Sequence, residues 1–105
     1  MSPKGYEESE DKVIFIHDDD KDADKVYVVG NFMGWKSEDD EWEMDYMKDK
    51  DRWELAVDKT IISDSKVGFY EFTFIVDGGW LDADKESDNV IYCTGYGYRY
   101  KIENL

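Results

Sequence analysis

Two tryptophans on turns are the residues of this chain best suited to holding a ligand. Trp35 follows Gly30-Asn31-Phe32-Met33-Gly34, and Trp80 follows Asp77-Gly78-Gly79. Neither sits where strand alternation would force it into a core, and a large indole on a turn costs solubility unless something covers it. The flat face of an indole can stack on the C–H face of a pyranose ring. Covering about 100 Å² of apolar surface contributes roughly 2.5 kcal/mol before association costs. Two such platforms support micromolar to millimolar binding. The competing expectation is that one or both indoles fold back over a sheet edge.

Other chemistries are less well served. The only histidine, His17, ends an apolar run beside three aspartates, with no sequence sign of a nucleophile that it could activate. We read it as an exposed strand-end residue. Glycoside hydrolysis needs two carboxylates about 5 to 10 Å apart across a deep cleft; 27 acidic residues supply pairs by chance, but a small sandwich seldom supplies the cleft. The runs Asp18 to Asp24 and Asp82 to Asp88 alternate carboxylates like a calcium loop. Such a loop wants glycine sixth and glutamate twelfth. Counting from Asp18 gives Ala23 and Val29, and counting from Asp82 gives Ser87 and Cys93. Both are solvated loops on this reading, and no metal or other cofactor is expected. Cys93 is the only cysteine, so no internal disulfide forms; with no basic neighbour to lower its pKa it reads as an inert buried thiol.

The elements that must position the tryptophans are strands. Residues 1–11 are polar and read as a flexible tail, followed by one domain over 12–105. Val13-Ile14-Phe15-Ile16 and Lys25 to Val29 are runs rich in β-branched residues. Ser37 to Asp51 is mostly charged, but Trp42, Met44, Tyr46 and Met47 suggest one short, half-buried strand. Arg52 to Val57 alternates, with Trp53, Leu55 and Val57 on the core face. Tyr70 to Val76 is the clearest strand, with Tyr70, Phe72, Phe74 and Val76 inward and Glu71, Thr73 and Ile75 outward. Asp77-Gly78-Gly79 predicts a hairpin turn returning through Trp80. Asn89 to Cys93 and Tyr96 to Ile102 add two more strands. Seven to eight short strands and no helical period predict an all-β, immunoglobulin-like sandwich.

At 105 residues the chain can build one modest core. Its formal net charge of -14, from 27 acidic against 13 basic side chains, repels phosphate backbones and anionic headgroups, so nucleic acid and membranes are not expected partners. A neutral polysaccharide is indifferent to that charge. A basic protein surface would be drawn to it. No stretch approaches the ~18 consecutive apolar residues of a membrane span, and the lone cysteine suits a reducing compartment, so a cytoplasmic location is expected.

Val26 to Trp35, then Met44, then Arg52-Trp53-Glu54-Leu55, then Phe72-Thr73-Phe74-Ile75-Val76-Asp77-Gly78-Gly79-Trp80 together resemble carbohydrate-binding module family 48. That family includes the glycogen-binding domain of the AMP-activated kinase β subunit and N-terminal modules of branching enzymes and isoamylases. The similarity spans roughly residues 13 to 102. It implies an early-set sandwich that holds α-1,4-linked glucan, with Trp35 and Trp80 matching the two stacking tryptophans, and as a partner an α-glucan enzyme or a kinase-type protein. Two positions depart from the pattern: the common lysine is Thr73, and the expected asparagine falls in Tyr96-Gly97-Tyr98. Lys36, Thr73, Tyr96 and Tyr98 are then the candidates to supply hydrogen bonds or further stacking. The usual Asp-Pro is replaced by Asp82-Ala83-Asp84, which suggests a reshaped ligand loop. The function expected is non-catalytic α-glucan binding. The alternative is a protein-interaction or regulatory domain of the same fold that has lost the sugar site.

Overall fold

Period-two runs of β-branched and aromatic residues become ladders where they can bury one face. The computed structural model describes residues 5–65, 67–83, 89–93 and 97–102. In chain order the strands are β1 (Tyr6–Glu8), β2 (Lys12–His17), β3 (Val26–Gly30), β4 (Asp45–Met47), β5 (Arg52–Asp58), β6 (Tyr70–Val76), β7 (Gly79–Trp80), β8 (Val90–Cys93) and β9 (Gly97–Ile102). They form two sheets with antiparallel pairings throughout, one ordered β1-β2-β5-β4 and the other β3-β6-β9-β8, with β7 beside β6. The fold is an all-β sandwich of the immunoglobulin-like kind. Among the described residues it has nine strands, the additions to the expected set being short ones.

Facing positions of the two sheets interlock around Phe72. Its ring meets Phe15 edge-on at 4.9 Å, stacks on Tyr100 at 5.3 Å, and takes the edge of Tyr6 at 6.1 Å. Val13, Val26, Val28, Phe74, Trp53 and Val57 complete this core, as the alternation of their strands requires.

Two expectations are corrected. The tail does not run through residue 11: Tyr6–Glu8 pairs with β2 in the register Tyr6↔Phe15, because the Tyr6 ring gains burial against Phe72 that the polar composition concealed. The charged stretch after Ser37 is not one strand: Asp40–Trp42 forms a 3-10 turn, N-capped by Asp39 accepting from Glu41 N, and sends Trp42 and Met44 into the core before β4 starts. Glu71, Thr73 and Ile75 of β6 do face away from the main core, as expected, yet that face is covered. Glu71, Thr73 and Ile75 are only 7%, 0% and 1% exposed. Tyr27, Val29 and Ile75 form a second apolar cluster on that outer face, over which Met33 and Trp35 pack.

Among the described residues helix is confined to α1 (Lys59–Ser63) and to 3-10 turns. Among the described residues no helix is long and apolar enough to cross a membrane. The expectations for Tyr96 and for Asp84 to Asp88 fall outside the described residues, as does that for the Cys93 thiol.

Candidate functional site

The turn that delivers Trp35 is built by close approach. Gly30 ends β3 against β6, where a Cβ would lie 2.5 Å from the Glu71 carbonyl oxygen and 2.6 Å from the Phe32 ring. Phe32 turns inward between Phe15 and Trp42, at 6.0 and 5.3 Å. Asn31 continues the ladder with its side chain: Nδ2 donates to Phe69 O at 2.8 Å, and Oδ1 accepts from Glu71 N at 2.9 Å. Gly34 and Trp35 then take left-handed conformations, φ 72° and 57°, closed by Trp35 N donating to Gly30 O at 2.9 Å. For a residue as bulky as tryptophan that conformation costs on the order of 1 kcal/mol. Trp35 is half-buried on the second apolar cluster, so in part it folds back over the sheet.

Trp80 arrives by a different route. Asp77 and Gly78 both have positive φ, 47° and 86°, the signature of the hairpin turn whose twist matches the flanking strands. The return leg pairs Trp80 with Ile75, which puts the indole on the same outer face. Thr73 Oγ1 donates to Leu81 O at 2.6 Å, and Leu81 N to Phe74 O at 3.0 Å, holding the chain down just past the tryptophan. Asp77 also reaches backward: its Oδ1 accepts from Asp24 N and Lys25 N, both at 2.9 Å, and fastens the acidic loop to the start of β3.

On this face the two indoles meet, with centroids 6.2 Å apart and planes at 32°. Trp80 remains 44% exposed. Beside them lies a residue that sequence reasoning missed. The Arg99 guanidinium carbon is 5.9 Å from the Trp35 centroid and 5.8 Å from that of Trp80, and Arg99 is only 5% exposed. Its Nη1 donates to its neighbour Tyr98 O at 2.8 Å and lies 3.6 Å from Asp82 Oδ1, while Nε has no partner among the described residues. Gly97, φ 80°, makes room for that carboxylate, since a Cβ there would come within 2.5 Å of Asp82 Oδ1. The alternation of β9 held the signal: with Tyr98, Tyr100 and Ile102 toward the core, Arg99 belongs to the opposite face.

The other candidates divide. Lys36 follows Trp35 with its side chain 73% exposed and Nζ 3.8 Å from Asp39 Oδ2, and is accessible as a donor. Thr73 is corrected: it is fully buried and its one hydroxyl proton is committed to Leu81, so it has nothing to offer a ligand. Tyr98 is corrected too, because it lies on the core-facing side of β9, edge-on to Tyr92 at 5.2 Å, with the sheet between it and the indoles.

His17 is less exposed than expected: 12% of its side chain is accessible, its Nε2 lies 2.8 Å from Asp20 Oδ2, and its ring packs on Phe74 at 5.1 Å. Trp53 Nε1 donates to Asp20 O at 3.1 Å, so this corner anchors the acidic loop. Farther along that loop, Lys21 donates at 2.6 Å to Asp51 in the turn before β5, which also accepts from the Tyr46 hydroxyl. The Lys21 bond, then the Tyr46 bond, lowers the Asp51 pKa below its ordinary 3.8. Among the described residues no group of three or more His, Cys, Asp or Glu side chains is placed to hold a metal ion.

Fold and site together define a class: an all-β sandwich carrying a paired-indole surface over a buried arginine. Comparison with protein-family models, curated proteins and solved structures finds no match.

Proposed function

We propose that this chain is a non-catalytic binding module for α-linked glucan such as glycogen, starch or maltodextrin, with Trp35 and Trp80 as its stacking surfaces. The observation that carries the reading is the meeting of these two indoles, delivered by separate turns to one face 6.2 Å apart, with Trp80 still 44% exposed. The resemblance to carbohydrate-binding module family 48 supplies the ligand class. Lys36 is the donor best placed to follow a sugar held at Trp35, and neither Thr73 nor Tyr98 belongs to the site in this form of the proposal. The setting proposed is the cytoplasm, supported by Cys93 being the only cysteine.

Titration of tryptophan fluorescence with maltoheptaose, against a cello-oligosaccharide of similar length, tests the reading. A saturable change specific to the α-linked sugar, lost in both Trp35→Ala and Trp80→Ala while each still folds, supports it. Retained affinity in both variants removes it.

A second reading, a regulatory domain that docks a basic protein, is favoured by the net charge of -14. Its partner would be captured in low salt and released near 0.5 M, where exposed charges are screened to roughly 4 Å. Capture that survives such salt counts against it.

A further inference from the structure

Trp35, Trp80 and Arg99 come from three places in the chain: the turn after β3, the hairpin after β6, and the strand β9. No short covalent path fixes the two indoles relative to each other. The guanidinium carbon stands almost equidistant from both ring centroids, at 5.9 and 5.8 Å, inside the range in which a cation is drawn to a π face. Arg99 is also the one cation among the buried polar residues described.

Its conventional bonding is poor. Among the described residues one Nη1 bond goes to Tyr98 O, the Asp82 contact is long at 3.6 Å, and Nε–H is buried without a partner. A residue needed only to fill space here would be methionine or leucine, which strand no polar group. What the arginine gains over them is the two rings.

We propose that Arg99 is the positioning residue of the platform, its planar guanidinium holding Trp35 and Trp80 in one mutual orientation before any ligand arrives. This rests on the reading of the indoles as a glucan surface and deepens it: neighbouring sugar rings of one chain need two stacking planes in a fixed relation, and a platform already in that relation avoids an ordering cost on binding. Lysine keeps the charge but lacks the plane, and so replaces arginine only partly.

The experiment is a near-ultraviolet circular dichroism cycle. The difference spectrum between the protein and its Trp80→Phe variant isolates the signal that depends on Trp80 beside Trp35; it is recorded again in Arg99→Met and Arg99→Lys backgrounds, with maltoheptaose affinity and melting temperature measured on the same samples. Arg99→Met is expected to collapse the difference spectrum and weaken maltoheptaose binding roughly tenfold, with the fold retained, and Arg99→Lys to restore part of both. An unchanged difference spectrum in Arg99→Met overturns the proposal. Should Arg99→Met fail to fold, the lysine variant decides: a spectrum diminished supports the role of the guanidinium plane, and one identical to the parent overturns it. If the unaltered protein shows no response to maltoheptaose, the glucan reading falls, and the spectra alone still decide whether Arg99 sets the indole pair.

Discussion

Thr73 Oγ1 donates to the carbonyl of Leu81 across 2.6 Å, tying the middle of β6 to the segment that leaves Trp80. Thr73→Val, close to isosteric, removes this bond and leaves the Leu81 oxygen unmatched. We expect a loss of about 1 kcal/mol in denaturant unfolding. Ligand affinity should change only as far as the Trp80 hairpin loosens; loss of binding with the indole spectra intact would restore Thr73 as a direct ligand contact.

Gly30 tests how closely the β3 turn approaches its neighbour. With a Cβ directed to within 2.5 Å of the Glu71 backbone, Gly30→Ala is expected to cost about 2–3 kcal/mol. Gly34→Ala is the comparison: nothing lies within 4 Å of a Cβ there, so only the positive φ is felt, at about 1 kcal/mol. Equal losses in chemical unfolding would contradict the crowding at Gly30.

The left-handed backbone of Trp35 separates side-chain function from backbone strain. Both Trp35→Ala and Trp35→Gly delete the indole, and both should lose binding. Glycine alone relaxes at φ 57°, so Trp35→Gly is expected to be more stable than Trp35→Ala by about 1 kcal/mol, the reverse of the usual order in unfolding experiments.

The Asp51 cluster carries a pH signature. Its carboxyl is held below 3.8 by the Lys21 and Tyr46 bonds, so its contribution is complete above that value and disappears as pH falls through the lower folded-state value. Asp51→Asn should therefore melt below the parent at neutral pH, with the gap closing in acid. Lys21, raised above 10.5 by Asp51, gives the opposite limb: its part of the stabilisation is present below 10.5 and is lost as pH rises past the folded value. Melting temperatures recorded between pH 2 and 8 check the first limb, since a constant gap would place the effect elsewhere.

Much of this architecture is legible from residue patterns. Tyr70 to Val76 and the Asp77-Gly78 turn carry both alternation and turn chemistry, and they form the strand and hairpin those signals require. The meeting of Trp35 and Trp80 on one face is not legible in either turn alone: the resemblance pairs them, and the register of β7 on β6 brings Trp80 to the face that Trp35 covers. What stays hidden is what covers the second face of β6. Alternation labels Thr73 and Ile75 outward, and nothing local reveals that Met33 and Trp35 return to pack there. β1 is hidden for a similar reason, since Tyr6 gains its place from Phe72, 66 residues away in the chain. Arg99 was readable from the alternation of β9, but its relation to the two indoles depends on tertiary placement.

The bonds from Asp24 N and Lys25 N to Asp77 have one more effect, on where negative charge sits on the surface. They hold Asp19, Asp20, Asp22 and Asp77, with Lys21 the one cation among them, around one shallow depression at the root of the Trp80 hairpin, so the net negative field there has a fixed address. A polyanion is repelled by that field over a distance set by the ionic strength, whereas an uncharged polymer is indifferent to it. The hairpin thus gives the sandwich an electrical polarity as well as a shape, its acidic end pinned in place by two backbone amides.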